Sequence, residues 1–224
     1  MRITVIDYGL SNLLSVKLAF EHFGAEVLIT SKAQDILSAD ALVLPGVGAF
    51  RDGMTGLRNL GLIEPISQRT SAGAPLLGIC LGMQMLFDES DEFGRHKGLG
   101  FIPGRVEKIP DTDVNGDRQP VPHISWNPLY PAGSRTDFMG TALCDVKPGQ
   151  ECYFIHSYEA KPTDPADSLA ETVYGGRRIC AVARKGCVVG AQFHPEKSGP
   201  VGLTIIENYI KNCAIYHDGG AVFT

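Results

Sequence analysis

Cys80 stands where a hydrophobic stretch ends, in the segment PLLGICLGMQMLF, and glycines flank it at positions 78 and 82. The pattern G-x-nucleophile-x-G is typical of a sharp strand-to-helix turn, in which small neighbours allow two backbones to come close together. At such a turn the Cys80 sulfur lies near a helix N-terminus, whose partial positive charge favours the thiolate. The backbone N–H of Leu81 is then free to bond a developing oxyanion. We predict that Cys80 is a nucleophile; the alternative is a buried structural cysteine.

A thiol nucleophile in acyl transfer needs a neighbouring histidine that takes its proton and returns it to the leaving group. His194 is the best candidate, because VVGAQFHPE puts it at the end of a hydrophobic strand. Glu196 follows two positions later, and residues i and i+2 of an extended segment point to the same side. Its carboxylate can therefore orient the ring and stabilise the imidazolium. The alternative is a capped strand end with a chance carboxylate, while His123 and His156 are left as site-lining or core residues.

These residues need a scaffold that brings the ends of strands together. Hydrophobic stretches and helical patterns alternate over the first part of the chain, which predicts strands at 2–8, 25–30, 39–46 and 74–80 and helices at 11–24, 50–59 and 63–72. This alternation indicates an α/β fold whose parallel sheet is covered by helices on both faces. Because the carboxyl ends of parallel strands meet at one edge, Cys80 and His194 are expected there together.

The second part of the chain has a different pattern. After about residue 98, short strand candidates are separated by Gly, Pro and Asp, which predicts hairpins and a mixed edge of the mostly parallel central sheet. The GGRR segment at 175–178 is interpreted as a hairpin turn. QPVPHISWNPLY at 119–130 and ECYFIHSYEAK at 151–161 are among the strand candidates, although strands are hardest to place over 110–148. A last helix is predicted at 199–216. We expect one domain over residues 1–216 and a loosely ordered tail over 217–224.

Composition excludes several classes of protein. The 224 residues are 44% hydrophobic and 20% charged, which suits an α/β domain with a sizeable core. A net charge of −5 gives no sign of a nucleic-acid partner, and no hydrophobic stretch is long enough to span a membrane. The six cysteines form no CxxC pair and no zinc-like cluster, so no metal or cofactor is predicted. A first strand that starts at Met1, without a signal peptide, predicts a cytoplasmic protein with reduced thiols.

Three motifs occur in the order found in a known family. PGVGAF at 45–50, GICLGMQ at 78–84 and HPEKS at 194–198 resemble those of the class I glutamine amidotransferases, which use a Cys-His-Glu triad. YGLSNLLSV near the start, PHISWN at 122–127 and YFIHSY at 153–158 resemble, more narrowly, the glutaminase subunits of imidazole glycerol phosphate synthases of histidine biosynthesis. Together these motifs extend over nearly the whole chain.

The resemblance implies a reaction for the three residues already singled out. Cys80 is expected to attack the side-chain amide of glutamine, and His194 to pass a proton to the departing ammonia while Glu196 orients the ring. A γ-glutamyl thioester then forms and is hydrolysed to glutamate. The backbone around Val47 and Gly48 would complete the oxyanion hole with Leu81.

Val47 stands between two glycines, and a β-branched residue is a poor choice for a peptide that needs positive φ. We therefore hypothesise that this peptide is misoriented in the isolated protein and flips when the partner enzyme is loaded with its substrate.

The resemblance also assigns glutamine recognition and a partner. Glutamine is expected to bind at Gly48, Gln84, Glu92, Ser157 and Tyr158; the alternative for Gln84 and Glu92 is a simple surface position. The ammonia is expected to pass to a (β/α)₈-barrel cyclase subunit, with which the chain forms a heterodimer. The interface and tunnel mouth are expected to include Asn12, Ser15, Trp126, Tyr153 and Lys197. Trp126 has a core position as its alternative, and Lys197 either gates through a salt bridge or is solvated.

Three other functions are weighed against this one. A glutaminase of another pathway, such as a pyridoxal phosphate synthase, is disfavoured by PHISWN and YFIHSY. A catalytically silent regulatory subunit is disfavoured because Cys80, His194 and Glu196 are all intact. A cysteine peptidase is disfavoured because the PGVG segment and the GMQ after the nucleophile favour a free amino-acid amide.

Overall fold

A computed structural model describes residues 1–217, so all but the first residue of the predicted tail over 217–224 lies outside the described part of the chain. The helices are α1 (Leu13–Glu21), α2 (Ala33–Leu37), α3 (Phe50–Asn59), α4 (Ile63–Ser71), α5 (Leu81–Met85) and α6 (Gly199–His217). The strands are β1 (Arg2–Ile6), β2 (Glu26–Thr30), β3 (Ala41–Gly46), β4 (Leu76–Cys80), β5 (Phe87–Ser90), β6 (His96–Lys97), β7 (Ile102–Lys108), β8 (His123–Pro128), β9 (Tyr130–Pro131), β10 (Glu151–His156), β11 (Tyr158–Pro162), β12 (Ser168–Tyr174), β13 (Arg177–Lys185) and β14 (Val188–Ala191).

The central sheet has eight strands in the order β2-β1-β3-β4-β14-β13-β12-β9. The strands from β2 to β14 in this order are parallel, and the last three pair antiparallel at one edge. This confirms the predicted α/β class with a mostly parallel sheet that is mixed at its edge. The order also makes β4 and β14 neighbours, so the nucleophile and the base leave the sheet side by side.

Helices cover both faces of this sheet. On one face, Phe20 of α1 and Tyr209 of α6 pack edge to face in a buried hydrophobic cluster. On the other face, Phe50 and Leu57 of α3 are fully buried in a second cluster. Every residue of β3 and β4 is buried, as is typical of parallel strands that have a helical layer on each side. The predicted strands β1–β4 and helices α1, α3 and α4 are thus present, whereas the five-residue α2 was not predicted.

The second half of the chain adds two small sheets and a hairpin. Strands β11, β7, β5 and β6 form one sheet, and β10 pairs antiparallel with β8 in a two-stranded ribbon. The GGRR segment does form the β12–β13 turn, with Gly175 and Gly176 both at positive φ as a tight hairpin requires. Strands β8 and β10 fall within the strand candidates at 119–130 and 151–161, whereas their pairing with each other was not predicted. Among the described helices, none combines the length and hydrophobicity that crossing a membrane requires.

Candidate active site

Cys80 lies at the junction of β4 and α5 in a strained conformation. Its φ of 54° and ψ of −109° place a non-glycine residue where L-amino acids are rarely found. A Cβ atom on Gly82 would lie 1.7 Å from the carbonyl oxygen of Leu44, and one on Gly78 would lie 2.7 Å from the carbonyl oxygen of Gly82. The two flanking glycines are therefore required because the turn presses α5 against β3 and β4. This geometry matches a nucleophile elbow.

His194 and Glu196 lie beside this turn. Strand β14 pairs in parallel with β4, and the chain continues from Ala191 to His194 at the same edge of the sheet. The Nδ1 atom of His194 lies 2.8 Å from Oε1 of Glu196, and the two side chains are only 3% and 2% exposed. The premise that the segment from His194 to Glu196 is extended is wrong. Residues Pro195–Lys197 form a 3-10 turn, which brings the carboxylate back to the ring.

The pKa of His194 reflects two neighbouring side chains, Cys80 and Glu196. Burial by itself lowers the pKa of His194, but the nearby side chains of Cys80 and Glu196 outweigh burial and raise the pKa to about 9. With Nδ1 held by Glu196, Nε2 is the ring nitrogen left for the thiol. This atom is buried and has no hydrogen-bond partner among the described residues.

A cavity of about 280 Å³ opens in front of Cys80. Its lining includes the predicted nucleophile and base, the predicted oxyanion residues and all five predicted glutamine-binding residues, namely Cys80, His194, Val47, Gly48, Leu81, Gln84, Glu92, Ser157 and Tyr158. Pro122, Ile155 and His156 complete the lining; the first two were not predicted for the site, and the sequence left His156 open between site and core. Glu196 lies behind His194, outside the lining. The predicted site residues, far apart in the sequence, thus surround one small space.

The segment predicted to form half of the oxyanion hole is hydrogen-bonded elsewhere. The backbone N–H of Val47 donates to the carbonyl oxygen of Leu10 at 3.0 Å, so it is not free for a ligand. Gly48 has a φ of +97°, whereas Val47 is not among the residues at positive φ. Leu81, as the first residue of α5, has an N–H without an intrahelical acceptor. The oxyanion roles stay predictions, and the peptide flip would have to break the Val47–Leu10 bond.

The carboxamide of Gln84 is buried and held by protein groups, so its alternative as a simple surface residue is wrong. Its Nε2 donates to the carbonyl oxygen of Tyr158 and to Oε1 of Gln192, both at 3.1 Å. Only its oxygen is left for a ligand. Glu92 is half-buried, and one of its oxygens accepts from the backbone N–H of Phe50 at 2.6 Å. Burial is the main reason why the pKa of Glu92 is raised.

Comparison with known proteins assigns the family. Residues 4–213 match the family model described as glutamine amidotransferase class-I. The chain belongs to the class I glutamine amidotransferases. Solved members share the fold at low identity: a structure described as a glutamine amidotransferase superposes with a TM-score of 0.70 at 18% identity, covering 94% of this chain and 98% of that one. PurLQS from Thermotoga maritima gives 0.68 at 18% identity, covering 94% and 97%.

Curated relatives within this family are much more similar in sequence. The imidazole glycerol phosphate synthase subunit HisH 1 of Legionella pneumophila (strain Lens) is 48% identical over 93% of this chain and 98% of its own length. The HisH subunit of Syntrophotalea carbinolica is 45% identical, covering 92% of this chain and 98% of its own length. The similarity therefore extends over almost all of both relatives.

In this amidotransferase, two buried histidines support the cavity wall. His156 Nδ1 donates to the carbonyl oxygen of Tyr158 at 2.8 Å, and its Nε2 lies 3.0 Å from Nδ1 of His123. Burial lowers the pKa of His156 to about 3, so the ring is neutral at ordinary pH. The sequence left both histidines open between site and core. His156 is in fact both, because it lines the cavity while it holds a backbone group of the predicted glutamine site.

The residues predicted for the interface lie on elements that pack together. Trp126 is 50% exposed and contacts Tyr153 across the β8–β10 ribbon, so its alternative as a core residue is wrong. Asn12 is exposed and directly precedes α1, Ser15 is half-buried, and α1 and β10 both pack against the turn that carries Lys197. Lys197 is exposed and forms no ion pair with any described residue. A gating salt bridge is therefore absent from this state.

The backbone joins this surface to the base. The N–H of His194 donates to the carbonyl oxygen of Tyr153 at 3.1 Å, and the N–H of Tyr153 donates to Oγ of Ser198 at 3.0 Å. Ser198 Oγ in turn donates to the carbonyl oxygen of His194 at 2.7 Å. A shift of β10 would therefore be transmitted to the segment that holds the imidazole.

Proposed function

We propose that this chain is the glutaminase subunit of an imidazole glycerol phosphate synthase. It hydrolyses glutamine to glutamate and ammonia, and the ammonia passes to a cyclase subunit that makes imidazole glycerol phosphate and an aminoimidazole carboxamide ribonucleotide in histidine biosynthesis. The observation that carries the proposal is that Cys80 and His194 line one cavity while Glu196 holds the far side of the His194 ring, in a chain 48% identical to a curated HisH subunit.

The chemistry proceeds in two steps at the Cys80 sulfur. The thiol proton moves to His194, and the thiolate attacks the side-chain carbonyl carbon of glutamine to give a tetrahedral intermediate. His194 returns the proton to the nitrogen as the C–N bond breaks, so ammonia leaves and the γ-glutamyl thioester remains. Water, deprotonated by His194, then attacks the thioester, and the C–S bond breaks to release glutamate and regenerate the thiol.

Glu196 and the oxyanion donors lower the barrier to these steps. Glu196 holds the ring by its Nδ1 and stabilises the imidazolium, while Leu81 N–H faces the oxyanion. A second donor is the backbone N–H of Val47, after the Gly46–Val47 peptide rotates away from Leu10. Each such donor contributes about 2.7–4 kcal/mol to transition-state stabilisation, or two to three decades in rate. The resting bond to Leu10 therefore keeps the free subunit slow.

Glutamine is held in the cavity by the groups around its amino-acid end. The carboxylate of Glu92 suits the α-ammonium, and Ser157, Tyr158 and Gly48 supply polar groups of the opposite wall. Gln84 offers its carboxamide oxygen, since its nitrogen is already bonded to Tyr158 and Gln192. A free amino-acid amide fits a cavity of about 280 Å³ better than a peptide does.

The partner is a (β/α)₈-barrel cyclase bound at the exposed surface around Trp126. Ammonia released into water would be protonated and diffuse away, so a synthase must collect it directly. Exposed tryptophan is a frequent interface anchor, because it buries a large area at low entropic cost. Tyr153, Lys197, Asn12 and Ser15 surround the same contact. We further infer that the complex works in the cytoplasm, where the cysteines stay reduced.

The other functions weighed from the sequence are less well supported. A pyridoxal phosphate synthase glutaminase would require a different partner, whereas the relatives named above are HisH subunits. A silent regulatory subunit would not need a strained Cys80 beside a buried His–Glu pair.

The first test is dependence on the partner. Glutamate release is measured for the chain alone, with a cyclase subunit, and with the cyclase and its ribonucleotide substrate. We expect release to rise by about two to three decades in the loaded complex, as one recovered oxyanion donor would give. A rate that is the same in all three mixtures would contradict both the partner and the peptide flip.

A second test concerns the carboxylate behind the base. In Glu196→Gln the negative charge that raises the His194 pKa is lost, so this pKa falls below about 9 and the imidazolium becomes less stable. We expect the loaded complex to lose about 10²-fold in kcat, because proton transfer through the base is impaired. The pKa is measured by NMR titration of the His194 ring and kcat by glutamate release.

Glu207→Gln is the matched control, since Glu207 is a surface carboxylate on α6 paired with Lys211. Both quantities should stay at their wild-type values in this variant. An unchanged His194 pKa in Glu196→Gln would contradict the role assigned to the carboxylate.

A further inference from the structure

Gln192 is a fully buried carboxamide that directly contacts the nucleophile. Its Nε2 lies 3.8 Å from Sγ of Cys80, and its Oε1 accepts from Gln84 at 3.1 Å. Its backbone N–H donates to the carbonyl oxygen of Ala181 at 2.9 Å, which fixes the residue just beyond β14. A buried amide with both ends engaged is a rigid group, and here one of its ends faces a sulfur.

The direction of these hydrogen bonds is fixed from one end. The carbonyl oxygen of Tyr158 can only accept, so the group of Gln84 that faces it is the NH₂ group. The second hydrogen of this NH₂ group must then meet an acceptor, which makes the near atom of Gln192 its oxygen. It follows that Gln192 presents its own NH₂ group, a donor, to Cys80.

A donor at this position distinguishes the two forms of the nucleophile. The thiol can donate its proton to the carbonyl oxygen of Ile155, which lies 3.7 Å from the sulfur. The thiolate has no proton and can only accept, so it is stabilised by N–H donors and opposed by a carbonyl oxygen. Hydrogen bonding to the charged form of a group favours that form.

We propose that Gln192 is a further catalytic residue, whose side-chain N–H donates to the Cys80 thiolate and favours the reactive form of the nucleophile. Gln84 is a positioning residue in the same network, because it holds the Gln192 carboxamide in the donating orientation. This assignment rests on the proposed function for its catalytic meaning, but the sulfur contact can be tested without glutamine or a partner.

The other groups facing the sulfur do not replace this donor. His194 and Glu196 act from the turn after β14, as described above. Tyr8 donates its hydroxyl to the carbonyl oxygen of Pro45 at 2.8 Å, and its pKa lies far above its usual range through burial and the charge of Cys80. His156, on β10, is kept neutral by burial. Gln192 thus adds a neutral donor to the charged His194.

The experiment follows alkylation of Cys80 by iodoacetamide against pH in the full chain, using mass spectrometry of the peptide that contains Cys80. Gln192→Met removes the donor while it keeps an unbranched side chain of similar length. Loss of one hydrogen bond to a charged sulfur raises the pKa of the thiol. We therefore expect the midpoint of the pH dependence of Cys80 alkylation to be about one pH unit higher in the variant than in the wild type. At pH values below both midpoints, Cys80 of the variant should be alkylated about tenfold more slowly than Cys80 of the wild type.

Three further measurements make the result decisive. Gln192→Leu is a second apolar variant, used in case the methionine disturbs folding. Urea denaturation shows which variants are folded, and only those are compared. Asn208→Leu, which removes a buried amide on α6, should leave the midpoint unchanged. In the loaded complex, Gln192→Met should lower kcat about tenfold and change KM by less than about twofold.

A folded Gln192 variant with the wild-type alkylation midpoint would overturn the proposal. Suppose instead that the Gln192 variants shift the alkylation midpoint while the wild-type chain releases no glutamate in the loaded complex. That result would support the sulfur contact and remove the proposed function. The two ideas can therefore fail separately.

Discussion

Replacement of Cys80 by alanine is expected to lower glutamate release by about 10⁴-fold or more in the complex with a loaded cyclase. The thioester cannot form without the sulfur, and the oxyanion donors that remain act only on attack by water. His194 would also lose one of the two anions that raise its pKa. The measurement is glutamate release at saturating glutamine, with cyclase binding monitored separately because the alanine variant should still form the complex.

Cys144→Ala provides the matched control for this variant. Cys144 is a partly exposed cysteine whose thiol faces the carboxylate of its neighbour Asp145, and it does not line the cavity around Cys80. Its removal should leave the rate at the wild-type value. Glutamate release near the wild-type rate in Cys80→Ala would exclude the thiol mechanism altogether.

The second large effect is expected at Gly82, where the fold requires a residue without a Cβ atom. In Gly82→Ala the new Cβ would lie 1.7 Å from the carbonyl oxygen of Leu44, which belongs to the backbone of β3. Neither strand nor helix can move away without disturbing the core, because both are buried. We expect the free energy of unfolding to fall by about 3 kcal/mol or more, measured by urea denaturation.

Gly53→Ala tests whether the backbone contact is the cause. There the nearest atom to a new Cβ is the sulfur of Met85, at 2.7 Å, which is part of a flexible side chain that can move. Gly53 also lies inside α3, where alanine favours the helix by up to about 1 kcal/mol. Its stability should stay close to that of the wild type. Equal decreases in the free energy of unfolding in Gly82→Ala and Gly53→Ala would contradict the explanation by backbone contact.

Much of the local structure could be predicted from short-range patterns. Strands β1, β3 and β4 are fully or mostly buried, so their hydrophobic stretches stand out, and Gly175–Gly176 marks a tight turn by its composition. The turn after His194 is different. The i, i+2 rule suggested the right pair for a wrong reason, since Glu196 reaches the imidazole through a 3-10 turn that starts at Pro195.

The same rule, applied toward the N-terminus, would have pointed to Gln192, which stands two residues before His194. It was missed because a glutamine inside a hydrophobic stretch carries no sign of its partner. Only the packing of β14 beside β4 puts its amide against a sulfur 112 positions away in the sequence. The pairing of β8 with β10 was not predicted for a related reason: both segments were strand candidates, but they are distant in the sequence.

The sequence by itself determined the reactive groups, the glycines that allow the elbow, and the α/β order of the elements. These follow from residue type and local spacing, which depend on interactions along the chain. Only the tertiary structure decided which hydrogen bond each group makes: Val47 with Leu10, Gln84 with Tyr158 and Gln192, and His194 with Glu196. Those choices depend on strand order and on the fixed directions of buried donors and acceptors, because a buried polar group must find whatever partner the packing brings within reach.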